Sequence, residues 1–245
     1  MNEGLRLGLG LSALLGIAAT VSIVADLGLV RQMMTASLRA ALQLAVVALA
    51  LRGVFDAPVT AVAVLAVMFS VAIWTATRRL AGVPDARQAV LLGCGVGAGV
   101  AVTIVVALPT LDRDVRTLIA VAGIVIGNSM VAATLAGRHL YRGLRQHRDE
   151  VEGWLAIGAT PRQAVRGIAR DAAREAMVPG MDQTRTTGLV TLPGAFIGAL
   201  LGGASPLQAA RFQIVVLVAL LCAQVLTAAT VTYRLGAPAT IPADS

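Results

Sequence analysis

Six uncharged runs, each 19 to 25 residues long, divide this chain: 7–25, 57–77, 88–111, 117–137, 186–210 and 212–233. A helix needs about 20 apolar residues to cross the hydrocarbon core of a bilayer. In lipid the backbone must satisfy its own hydrogen bonds, so runs of this kind are helices. The inside/outside alternation of a β-barrel strand is absent. Composition agrees: 57% of the 245 residues are hydrophobic and 13% are charged, against about 25% charged in a typical soluble domain. The expectation is an all-α, polytopic transmembrane helical bundle.

A seventh span is read over 36–55. It is apolar except for Ser37, Arg39, Gln43 and Arg52. Arg52 can snorkel from the end of the helix. Arg39 would cost about 2.5–3.5 kcal/mol at the bilayer centre, and less near the end where it sits. Between the last two runs the chain must turn, and Gly202, Gly203, Ser205 and Pro206 supply the breakers. The whole chain, 1–245, then reads as a single transmembrane domain of about seven spans.

Nine arginines lie between Arg138 and Arg185, flanked by two of the uncharged runs. Such an island follows the rule that basic residues stay on the cytoplasmic side. With seven spans and the N-terminus outside, Arg31, Arg78, Arg79, Arg87, the island and Arg234 place 14 arginines inside. Arg6, Arg52, Arg113, Arg116 and Arg211 place five outside. The expected location is the cell inner (plasma) membrane, with the long basic loop, 138–187, cytoplasmic. Arginine in the loops of a membrane protein explains the net charge of +7 without nucleic acid. All 20 basic residues are arginine, which reads as genomic bias. The N-terminal run is long enough to remain as a span rather than be cleaved as a signal.

The basic loop has internal order. Arg138, Arg142 and Arg145 recur at helical spacing, as do Leu140 and Leu144. Gly158 is placed to end a short helix, and Thr160-Pro161 is an N-cap and first-turn pair that starts another. From 161 to 178, Ala164, Val165, Ile168, Ala169, Ala172, Ala173, Ala176 and Met177 mark an apolar face beside Arg162, Arg166, Arg170 and Arg174. Pro179 and Gly180 are expected to break this helix. Two helices around a small-residue corner form a knob suited to a groove in a soluble partner. An amphipathic helix lying on lipid has the same pattern, and the residues alone leave both readings open.

Polar residues within the spans are the default functional candidates. These are Arg39, Gln43, Asn128, Ser129 and Gln224. Asn128 and Ser129 equally suit interhelical hydrogen bonding. Met68 and Met130 are soft potential metal ligands but also ordinary packing residues. Asp182 is the nearest oxygen ligand, or else the N-cap of the following span. Pro193 permits a bent or re-entrant element there. Cys94 and Cys222 read as apolar packing, and His139 and His147 as surface residues among arginines. The chain has no nucleophile–base set and no GxxxxGK[ST] phosphate loop, so it is not expected to be an enzyme or to bind ATP itself.

Several stretches resemble the FetB-type permease family. These are Ile124 to Ala132 (IVIGNSMVA), Leu155 to Pro161, Arg170-Asp171-x2-Arg174, Pro179-x2-Asp182, and Gly188-Leu189-Val190-x-Leu192-Pro193-Gly194. The likeness covers most of 117–235, with one short match upstream, Arg39-Ala40-x2-Gln43-Leu44. Where the family tends to carry methionines after Leu-Pro-Gly, this chain has Ala195 and Phe196. Family members are membrane subunits that pair with a separate cytoplasmic ABC ATPase, the bacterial ones implicated in iron export and plant relatives in aluminium tolerance. The resemblance implies an ABC transporter permease for export of iron or another metal ion, serving metal homeostasis. It implies a permease homodimer with ATP bound by the partner subunit. It implies coupling through Glu152, Trp154, Gly158, Ala159, Thr160, Pro161 and Arg162. It ranks Asn128, Ser129 and Met130 first on the substrate path, with Arg39, Gln43 and Gln224. An ion-coupled secondary transporter, or a membrane scaffold recruiting a soluble protein, are the competing readings.

Overall fold

A computed structural model describes residues 3–54, 58–108, 111 and 114–237. The described residues are helical apart from turns and one isolated bridge between Thr187 and Thr191. Arg113 lies outside them, and the Arg52 side chain is not described.

The chain divides into two units, Met1–Pro58 and Val59–Ser245. The first is a helical hairpin of α1 (Glu3–Val24) and α2 (Val30–Val54). Asp26 (φ 50°) and Gly28 (φ 63°) supply the left-handed backbone of its turn. The buried Ser22 hydroxyl accepts from the Leu29 N–H at 3.2 Å and closes it. α1 is long and apolar enough to cross a membrane. α2 has the length, but it carries Arg31, Arg39 and Gln43.

The second unit holds α3 (Pro58–Arg79), α4 (Ala86–Ala107), α5 (Val115–Gln146), α6 (Arg148–Ala156), α7 (Pro161–Thr186), α8 (Gly194–Leu201) and α9 (Pro206–Leu235). By length and composition α3, α4, α5 and α9 can each cross a membrane. Central α9 packs against α4, α5, α7 and α8, while α7 also packs against α5 and α6. α4 approaches α9 through Gly93 and Gly97, where Thr227 and Val231 occupy the space a side chain would need. The Thr227 hydroxyl donates to the Gly93 carbonyl at 3.1 Å. Small residues four apart let helix backbones close in this way in lipid.

Two apolar clusters fill the unit along its length. One joins Leu140, Leu144, Val151, Val165 and Ala172 to Val90, Val231 and Leu235, toward the arginine-rich end. The other joins Val121, Val125 and Ala101 to Val216 and Leu220. Buried Cys94 is a packing residue of the first cluster, as expected.

Three expectations are corrected. Pro179 and Gly180 do not end the amphipathic helix, because α7 runs through both to Thr186. Proline removes a single N–H from the helical ladder, and the tertiary contacts of α7 outweigh that loss. The uncharged run 186–210 is not one spanning helix. The left-handed Gly188 (φ 87°) and the Pro193-Gly194 pair interrupt it. What remains is the eight-residue α8, about 12 Å long, against a core of about 30 Å. Asp182 is inside α7 and caps no following helix, since α8 starts after Pro193. The breaker cluster at 202–206 behaves as read. Gly203 is left-handed (φ 92°), and Ser205 caps α9 in a box with Gln208.

Candidate functional site

Asn128 lies at the centre of the apolar run 117–137, midway along α5. Gln224 lies near the centre of the run 212–233 on α9. The structure brings them together across 96 residues, with Gln224 Nε2 donating to Asn128 Oδ1 at 3.3 Å. Asn128 Nδ2 in turn donates to the Ile124 carbonyl at 2.9 Å. Next to Asn128, the fully buried Ser129 has a hydroxyl without a hydrogen-bond partner, and the buried amide oxygen Gln224 Oε1 accepts no hydrogen bond. Polar oxygens without partners are unusual in a buried setting. Met130 is partly buried against both apolar clusters.

α7 completes this layer. Gly180 faces the Gln224 amide so closely that any side chain in its place would force that amide to move. In the sequence Gly180 reads only as a helix breaker, and no local signal pairs Gln224 with another residue. Arg39 and Gln43 are exposed on α2 in the hairpin unit. Among the described residues no group of three or more His, Cys, Asp or Glu side chains converges.

The second feature is the corner between α6 and α7. The Gly158 N–H donates to the Leu155 carbonyl and the Ala159 N–H to the Trp154 carbonyl, both at 3.0 Å. Gly158 adopts φ 91°, a value glycine reaches without steric cost. Thr160 starts α7 with a reciprocal capping box: its N–H donates to Gln163 Oε1 at 2.8 Å, and its hydroxyl accepts from the Gln163 N–H at 3.4 Å. Arg148 pairs with Glu152 at 2.8 Å along α6. The Arg162 guanidinium stacks 4.3 Å above the Tyr233 ring and donates to its hydroxyl, so the start of α7 is tied to the end of α9. Buried Val151 fixes α6 to the bundle. Around this anchored corner Trp154, Leu155 and Ile157 stand exposed, Ile157 at 76%. These three side chains form an apolar tip on an otherwise polar corner.

A bundle of apolar helices with a polar layer at mid-depth and a projecting helical corner defines a polytopic helical membrane protein. The chain matches the Uncharacterised protein family UPF0014 over residues 6–237, and it belongs to that family. It is 32% identical over 239 residues to the Probable iron export permease protein FetB of Escherichia coli K12, covering 95% of this chain and 91% of that protein. It is 35% identical over 224 residues to the UPF0014 membrane protein STAR2 of Oryza sativa subsp. japonica, covering 91% and 79%. Likewise it is 33% identical over 219 residues to the Protein ALUMINUM SENSITIVE 3 of Arabidopsis thaliana, covering 89% and 80%. No solved structure matches the chain.

Proposed function

We propose that this chain is the membrane-spanning permease subunit of an exporter, driven by a separate cytoplasmic ATPase of the ABC type, and that its solute is iron or another metal ion. The observation that carries this reading is the α6–α7 corner. Its tip is apolar and exposed at Trp154, Leu155 and Ile157. Its base is joined to α9 through Arg162 and Tyr233. A push on such a tip is delivered to the helix that carries Gln224, in the polar layer at mid-depth. Coupling of this sort requires two discrete bundle arrangements whose balance the partner shifts.

In this reading Glu152, Trp154, Gly158, Ala159, Thr160, Pro161 and Arg162 form the contact with the ATPase, which binds the ATP. Asn128, Ser129, Met130 and Gln224 stand on the solute path. The arginine-rich end faces the cytoplasm of a bacterial-type inner membrane, and two copies of the chain form the permease. The name of the Escherichia coli relative supports export of iron. Hard metal ions prefer oxygen donors, and the oxygens of Asn128, Ser129 and Gln224 suit that preference.

Cross-linking tests the contact. Ile157→Cys, in a chain whose Cys94 and Cys222 are replaced by alanine, is expected to form a cross-link to the co-expressed ATPase that ATP strengthens or weakens. No cross-link from Ile157→Cys or Trp154→Cys, in a complex that transports, would remove the corner from the coupling role.

A further inference from the structure

α7 is a polar helix that enters the apolar bundle. Ile168 fills the space beside Gly143 on α5, near the arginine-rich end. Twelve residues later Gly180 meets Gln224, level with Asn128 at the middle of α5. At 1.5 Å per residue, Asp182 lies about 3 Å and Arg185 about 7.5 Å beyond that level. Half the hydrocarbon core is about 15 Å. Asp182 and Arg185 are therefore charged residues at membrane depth. They pair at 3.7 Å, yet their side chains are 60% and 69% exposed.

The pair is not isolated. Asp171, Arg174, Glu175, Val178, Asp182 and Arg185 are all exposed and recur at spacings of 3, 1, 3, 4 and 3 residues. At 100° per residue these six fall within one stripe about 100° wide. Asp171 and Arg174 also pair, at 3.5 Å. The buried stripe, with Ala172, Ala176 and Gly180, lies on the other side, against α5 and α9. A charge at the bilayer centre is strongly disfavoured when it meets lipid. A stripe that carries both signs over about 21 Å of helix has no favourable contact with acyl chains. Beyond it, the helix ends in a turn whose N–H groups from Thr187 to Thr191 bond back within the segment.

We propose that this charged stripe of α7 is the wall of a water-filled passage inside the membrane, and that the passage carries a hydrated ion past the Asp182–Arg185 pair. The proposal rests on the permease reading and deepens it by placing the route on α7. Two of the three acids of the stripe, Asp171 and Asp182, are paired with Arg174 and Arg185, and Glu175 leaves the wall with a net charge that favours a cation. An entering cation exchanges Arg185 for itself at the Asp182 carboxylate, with no bond made or broken.

Cysteine accessibility tests this in the full chain lacking Cys94 and Cys222, in membrane vesicles of both orientations. Single cysteines are placed at Asp171, Glu175, Val178 and Asp182, with Ile157→Cys as the exposed reference. A charged, membrane-impermeant thiol reagent is compared with a lipid-soluble maleimide. Val178 is the decisive site, because its replacement removes no charge. The expected result is that Val178→Cys and Asp182→Cys react with the charged reagent as fully as Ile157→Cys, from at least one side. Reaction with the maleimide alone would overturn the proposal. Failure to label in a chain that still transports with its ATPase would reject the passage and leave the permease reading intact. Labelling in a chain that never transports would keep the water-lined wall and reject the permease.

Discussion

Gly180 of α7 rests directly on the side-chain amide of Gln224 in α9. The contact locks a polar helix to the middle of an apolar one, and Gln224 passes the connection to Asn128 on α5. Three helices thus meet in one polar layer, and the smallest residue makes the meeting possible.

Gly180→Ala is expected to lower thermal stability in detergent, with a loss of about 1–3 kcal/mol typical of overpacking. Gln224→Ala in the same chain should restore part of it, because the amide is what the new methyl strikes. The double-mutant cycle in unfolding measurements checks this, and strictly additive losses would argue against the contact.

Gly97→Val should be worse than Gly180→Ala. The added side chain at 97 meets the Ala223 carbonyl as well as Thr227, and backbone cannot rotate away as an amide can. Loss of monodisperse, folded protein on size exclusion is the expected outcome.

Asn128→Ala separates path from packing. Interhelical hydrogen bonds in membranes average about 0.6 kcal/mol, so unfolding should shift little. If Asn128 contacts solute, transport falls far more than stability does. Parallel small losses in both would make the residue helix–helix adhesive only.

Gly158→Ala probes the corner through backbone alone. No atom stands within 4 Å of the added carbon, but φ is 91°, and an L-residue held there is strained by on the order of 1–3 kcal/mol. The expected result is normal membrane insertion with loss of solute-stimulated ATPase activity. Unchanged stimulation would count against coupling through this corner.

The corner was legible because each of its devices is local. Thr160 and Pro161 are adjacent helix-start signals and Gly158 is a helix-end signal, while the Gln163 half of the capping box emerges from the structure. The spanning helices were legible because their runs are bounded by charge. The course of α7 was not. Pro179-Gly180 is a strong local punctuation mark, and what overrides it is the packing of α7 against α5 and α9, including the Gln224 amide 44 residues downstream of Gly180, invisible to any local pattern. The run 186–210 misled for the opposite reason. It has the apolarity of a span, but Gly188 and Pro193 cut it into a turn and a short helix. Asn128 and Gln224 stood out as polar residues in apolar runs, but their pairing belongs to the fold. Asp182 reads as peripheral in the sequence because charge usually marks membrane edges, and its place within one turn of the Gly180–Gln224 contact is set by the fold.

The most direct test of the central claim is solute movement in reconstituted vesicles containing the purified chain, with and without its ATPase, assayed with a panel of metal ions. The account predicts metal movement only when chain, ATPase and ATP are all present, and its loss when the α6–α7 corner is disabled by Gly158→Ala. Metal movement by the chain alone, undiminished without nucleotide, would contradict it.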